Sequence, residues 1–175
     1  MRVATFGAGC FWCIEACFKD LNGVLTIFPG YMGGSSEDAN YKDVCSGTTK
    51  HAEVAHIEFD ENLISYNRLL ELFWFIHNPT ELNRQGNDVG PQYRSVIFYH
   101  DDSQKEAAAK SKELLATNKV WDKEIVTEIS PAEIFYPAET YHKNYLENNP
   151  SNMYCQSVVR PKVDKFKLTF QELLK

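Results

Sequence analysis

The chain has 175 residues, 43% hydrophobic and 24% charged, proportions that let a globular domain bury a core and that exclude a disordered segment. Its formal net charge of −6 argues against a general nucleic-acid binder, and no apolar run approaches the ~20 residues needed to cross a membrane. Five cysteines cannot all pair within one chain, and Cys10, Cys13 and Cys17 crowd together, so exchangeable thiols in a reducing, cytoplasmic setting fit better than a secreted disulfide framework.

The stretch before Cys10 is too short for a signal peptide. No repeat, low-complexity tract or linker divides the chain, so one domain over 1–175 is expected. Val3 to Phe6 reads as a short strand turned by Gly7-Ala8-Gly9. Cys10 to Lys19 reads as a helix, with Phe11, Ile14 and Phe18 at roughly helical spacing. Val24 to Tyr31 predicts a second strand. Glu53 to Asp60 alternates polar and apolar residues and predicts a strand with one solvated face. Ser65 caps the next helix, whose stripe is Leu69, Leu72, Phe73 and Ile76. After it, Asn78 to Tyr93 reads as a long loop, then Ser95 to His100 as a strand and Asp101 to Asn118 as a helix. Ile125 to Ile129 is a predicted strand, Glu139 to Glu147 a short helix and Val163 to Leu174 a C-terminal helix. Loose alternation of strands and helices predicts an α+β two-layer sandwich, a mixed sheet with helices packed on it.

Two segments carry chemistry. The loop at 78–93 holds Asn83, Arg84, Gln85, Asn87, Asp88, Gln92 and Tyr93, more hydrogen-bonding groups than a connection needs, and so long a loop usually builds a site. Gly7-Ala8-Gly9-Cys10-Phe11-Trp12-Cys13 sets a thiol where a strand ends and a helix begins. Free amides and the positive helix end there favour a thiolate, and Phe11 with Trp12 can wall an apolar pocket. A buried cysteine in an aromatic core helix is the plain alternative, and Cys17 reads as a core residue. Cys10 and Cys13 also have the spacing of a thioredoxin-type pair, which keeps a thiol–disulfide exchange module open, as it does a non-enzymatic domain gripping an apolar side chain. A zinc site fails on spacing, since Cys45 and His51 are poorly matched partners. Gly7-Ala8-Gly9 lacks the third glycine of a dinucleotide fold and no phosphate-binding loop sequence occurs, so no metal or organic cofactor is expected.

The sequence resembles the A-type methionine sulfoxide reductases over most of its length. The matching segments include Gly9-Cys10-Phe11-Trp12, Gly30-Tyr31-Met32-Gly33-Gly34, and Tyr41 with Cys45 through Val54. They continue through His77-Asn78-Pro79-Thr80, Asn83 through Gly90, Gln92-Tyr93-Arg94-Ser95, and Pro137-Ala138-Glu139 with Tyr141-His142 and Tyr145-Leu146. The resemblance implies a ferredoxin-like variety of the two-layer fold and reduction of the S epimer of methionine sulfoxide, free or in proteins. It implies thioredoxin as reductant, and no nucleic-acid or membrane partner. Cys10 would be the nucleophile, Phe11 and Trp12 the walls that receive the methyl group, and Glu53 the acid that protonates the sulfoxide oxygen. Tyr41 and Tyr93 would donate to that oxygen, and Asp88 would hold a polar group or water. Cys155 resembles the family's C-terminal recycling cysteine and is favoured to resolve the oxidised Cys10, carried there by a mobile tail. Cys13 stands where the family often has glycine and is the competing resolver.

The chemistry explains why these residue types are needed. A sulfoxide is a poor electrophile until its oxygen is protonated or strongly hydrogen-bonded; thiolate attack then leaves methionine and a cysteine sulfenic acid. An acid for that step must keep its proton near neutral pH, which a partly apolar pocket achieves. Tyrosine hydroxyls can stabilise developing charge without changing their own protonation. Taken singly, Glu53 fits a solvated strand face, Tyr41 and Tyr93 fit structural tyrosines, and Asp88 fits a turn.

Overall fold

The computed structural model describes residues 1–175. Its strands are β1 (Arg2–Gly7), β2 (Val24–Met32), β3 (Ala52–Phe59), β4 (Arg84–Gln85), β5 (Asp88–Val89), β6 (Val96–Tyr99), β7 (Glu128–Pro131) and β8 (Tyr136–Pro137). Its α-helices are α1 (Phe11–Phe18), α2 (Tyr41–Cys45), α3 (Tyr66–Phe75), α4 (Asp102–Thr117), α5 (Tyr145–Asn148) and α6 (Arg160–Thr169). Six strands form one sheet in the order β7-β6-β1-β3-β2-β8, while β4 and β5 form a separate small hairpin. Only the β6–β7 pair is parallel, so the sheet is mixed and the fold is α+β, as expected.

The helix starts follow local chemistry. Ser65 accepts from the Arg68 N–H at 3.0 Å and Asp101 from the Gln104 N–H at 2.8 Å, satisfying amides that a first helical turn leaves open. Helix α1 packs on β2 and β3 with one side and on α6 with another, which explains why seven of its eight residues are buried. Cys13 and Cys17 are therefore enclosed, and Cys17 is a core residue, as its position on the helix suggests.

Four expectations need correction. Strand β3 is central, between β1 and β2, so its face is not simply solvated; Glu53 lies buried, and only His56 and Glu58 are half-exposed. Strand β7 begins later than Ile125, because Val126 donates to Pro79 O, outside the sheet, and pairing with β6 begins at Glu128. The helix expected over 139–147 is broken in two by Asn144 at φ 54, a left-handed residue. Cys155 is not on a loose tail. It has no exposed surface and opens a π-helical turn, Cys155–Val159, that runs directly into α6.

Candidate active site

Strand β1 and helix α1 meet at Gly9 and Cys10, and the turn between them needs glycine. Gly9 has φ +86, and a Cβ there would lie 2.9 Å from the Gln85 side chain, which closes over it. Gln85 is fixed in turn by two hydrogen bonds to the Asn78 backbone, at 2.9 and 3.0 Å. Cys10 follows as the N-terminal flank of α1, in an extended conformation and 8% exposed.

The thiol opens into a cavity of about 260 Å³ lined by Cys10, Phe11, Trp12, Tyr41, Glu53, Asp88, Tyr93, Asn152 and Tyr154. Every residue expected at the site except Cys13 and Cys155 lines it. Cys13 stands behind, one helical turn on, close enough for its thiol and that of Cys10 to shift each other's ionisation. Cys155 is enclosed without lining the cavity, and is close enough for Cys13 to act on its ionisation.

Glu53 comes from the buried stretch of β3 and is 2% exposed. Its Oε1 accepts the Phe11 N–H at 3.1 Å, one of the open amides of α1, which leaves Oε2 for the cavity. Burial pushes its carboxyl up to about 8, further raised by nearby Asp88, so it carries a proton at neutral pH. The Cys10 thiol is also pushed well up, by burial first, then by the Cys13 thiol and the Glu53 carboxyl; the Trp12 amide acts the other way. This differs from the sequence expectation of a thiolate. The helix end is there, but enclosure in an apolar, acid-lined pocket outweighs it. Cys13 is shifted down, chiefly because the neighbouring Cys10 thiol favours its charged form, with Lys162 on α6 adding to the effect.

The aromatic walls are held from the far end of the chain. The Trp12 indole N–H donates to His142 Nδ1 at 3.0 Å, and the indole stacks on Tyr145 at 3.8 Å and 4°. Phe11, with no exposed surface, packs against His142 at 5.0 Å and Tyr31 at 5.7 Å between ring centres. The Tyr154 hydroxyl donates to Asp88 Oδ2, joining the β4–β5 hairpin to the segment before the π-turn across the cavity. Asp88 is thus engaged by a tyrosine. Tyr41 lies close to Cys45, one turn along α2, and Tyr93 lies near Glu53, Cys45 and Asp88. Sequence reasoning missed Asn152, Tyr154 and His142 as site residues; Tyr141-His142 was visible only as a matching segment.

A cysteine thiol and a protonated carboxylic acid therefore share an aromatic pocket that also presents tyrosine hydroxyls. A sequence profile for "Peptide methionine sulfoxide reductase" matches residues 2–174. The chain belongs to that family. It is 53% identical over 166 residues to "Peptide methionine sulfoxide reductase MsrA" of Nautilia profundicola, covering 95% of this chain and 94% of that one. Among solved structures, Mxr1 from Saccharomyces cerevisiae in reduced form superposes with a TM-score of 0.81 at 35% identity, over 88% of each chain. Mxr1 in complex with Trx2 matches with a TM-score of 0.57 at 26% identity, over 82% of this chain and 84% of that one. The cavity of this chain lies where β1 gives way to α1, beside β3.

Proposed function

We propose that the domain formed by residues 1–175 reduces the S epimer of methionine sulfoxide, free or in proteins, with Cys10 as nucleophile. The observation that carries this reading is the pairing of the Cys10 thiol with a protonated, buried Glu53 in one aromatic cavity. Glu53 gives its proton to the sulfoxide oxygen while Tyr41 and Tyr93 donate hydrogen bonds to it. Cys10 sulfur, as thiolate, attacks the substrate sulfur, and its own proton replaces the one Glu53 gave up. The oxygen passes to Cys10, so the substrate gains two electrons and leaves as methionine, and Cys10 becomes a sulfenic acid. Phe11 and Trp12 enclose the methyl group, and Asp88, tied to Tyr154, orders the polar side of the pocket.

Cys13 then attacks the sulfenic acid, expelling water and forming the Cys10–Cys13 disulfide. The placement of Cys13 one helical turn from Cys10 and its downward shift support this role over Cys155, which would have to leave a fully buried position. Cys155, beside Cys13, is left to later exchange. Thioredoxin reduces the disulfide through its own dithiol, a partnership supported by the solved complex of the related Mxr1 with Trx2. Five free thiols agree with a reducing, cytoplasmic setting.

Cys10→Ser tests the centre of the proposal: it should abolish sulfoxide reduction and keep the wild-type fold by circular dichroism, and activity in that variant refutes it. Peptide mapping after one turnover should find Cys10 linked to Cys13; a Cys10–Cys155 link would return the resolving role to Cys155. A thiol-exchange module would reduce disulfides yet leave the sulfoxide untouched.

A further inference from the structure

The segment Pro137-Ala138-Glu139 has no place in the chemistry above, yet its carboxylate reaches two parts of the site at once. Glu139 Oε1 accepts the Tyr31 hydroxyl proton at 2.9 Å, and Oε2 accepts the Tyr41 backbone N–H at 2.9 Å. These two tyrosines lie on different elements. Tyr31, with no exposed surface, is near the end of β2 and backs the Phe11 ring. Tyr41 is the first residue of α2 and lines the cavity.

The placement of Glu139 is itself tightly determined. Strand β8 pairs with β2 at Gly30↔Pro137 and Tyr31↔Tyr136, and the Ala138 N–H donates to Pro29 O at 2.9 Å. Immediately beyond, the Glu139 carbonyl accepts the His142 N–H at 2.9 Å, which presents the imidazole that holds Trp12. Helix α2 has only five residues; at its start Asn40 and Asp43 bond each other twice, which fixes the cap but not the helix relative to the sheet, and at its far end the Cys45 carbonyl accepts from Gln92 Nε2 at 3.3 Å. A helix so short has little stability of its own, so its orientation depends on tertiary anchors. The Glu139 carboxylate is such an anchor, and it joins α2 to β2.

We propose that Glu139 is a positioning residue: its carboxylate spans Tyr31 and the start of α2, and so sets where the Tyr41 hydroxyl stands relative to Cys10 and Glu53. Removing that span leaves the pocket walls in place and lets α2 shift by a fraction of an ångström. A displacement of that kind affects the transition state more than ground-state binding, because the Tyr41 donor matters most as charge develops on the oxygen. The electrostatics agree with a carboxylate in this role. Burial pushes Glu139 up, but the Tyr41 amide, its own amide and the Tyr31 hydroxyl outweigh burial and leave it below its ordinary value.

The inference rests on Tyr41 acting as a donor to the sulfoxide oxygen, and a double-mutant cycle separates the two claims. Pre-reduced enzyme is mixed with a methionine sulfoxide derivative, and the single-turnover rate constant and half-saturating concentration are measured for wild type, Glu139→Ala, Tyr41→Phe and the double variant. Glu139→Ala should lower the rate constant by about 10- to 100-fold, with half-saturation changed less than about threefold. In the Tyr41→Phe background the same substitution should cost less than about threefold, because its effect acts through a hydroxyl already absent. Equal losses in both backgrounds, or a wild-type rate in Glu139→Ala, overturn the inference. Tyr41→Phe at the wild-type rate overturns the assignment of Tyr41 as well. If Glu139→Ala does not fold, Glu139→Asp replaces it in the cycle. One methylene shorter, it cannot span both donors, and its smaller loss should likewise vanish in Tyr41→Phe.

Discussion

Two buried carboxyls, Glu15 within helix α1 and Glu53 beside its start, differ in what their second oxygen meets. Glu53 and Glu15 are each 2% exposed, and each has one oxygen held by a backbone amide, Phe11 N–H for Glu53 and Asn144 N–H for Glu15. Burial raises both, to about 8 and about 7. Glu53 turns its other oxygen to the cavity beside Cys10, whereas Glu15 Oε2 is enclosed with no partner, and Lys19, Lys143 and Glu147 lie around it. Burial alone makes an acid that keeps its proton; only access to the reacting atoms makes it a general acid.

The sharpest way to break this contrast is to neutralise each carboxyl with an isosteric amide. Glu53→Gln should slow the single-turnover rate by about 10²- to 10⁴-fold, the usual worth of a positioned acid, with half-saturation little changed. Glu15→Gln should remain within a few-fold of wild type. Comparable losses in the two variants would mean that Glu53 acts through the fold rather than on the substrate.

The pH profile sharpens the same point with a smaller effect. If Glu53 must carry a proton, the single-turnover rate should fall as pH rises through about 8, where its carboxyl ionises. A rate limited by thiol ionisation alone would rise there instead, since Cys10 is shifted upward. In Glu53→Gln the alkaline fall should be gone. A falling limb that survives in Glu53→Gln belongs to another group.

What the sequence disclosed follows the same division between regular and irregular parts. Cys10, Phe11 and Trp12 sit where β1 gives way to α1, and a glycine turn followed by helical spacing marks them locally. The mixed sheet and the capped helices α3 and α4 were readable for the same reason. The alternation of β3, by contrast, suggested a solvated Glu53, and only the family resemblance pointed to it. His142, Asn152 and Tyr154 belong to segments with no period. Their roles come from partners far along the chain: Trp12 for His142 and Asp88 for Tyr154. The break at Asn144 was equally hidden, because a left-handed residue inside a helical-looking run shows no hydrophobic signature. The enclosure of Cys155 and the contribution of Lys162 to the downward shift of Cys13 depend on how α6 and the turn before it pack over α1, which spacing cannot reveal.

Glu15 also makes a prediction of its own, about stability rather than rate. Its folded-state carboxyl titrates near 7, above the ordinary value of 4.5, so between those values the folded chain binds more protons than the unfolded one. Stability must therefore fall as pH rises through that interval and level off once both states are ionised, a change of roughly a few kcal/mol. Glu53 adds a loss of the same sign that continues to about 8. Glu15→Gln cannot titrate, so melting temperature in that variant relative to wild type should improve from pH 5 to about pH 7 and then stay level. The amide oxygen can still accept the Asn144 N–H, which keeps the left-handed turn and, just beyond it, the stack of Tyr145 on Trp12. A constant difference across that range would show that Glu15 ionises in the folded chain as it does in water, and its resemblance to Glu53 would then end at burial.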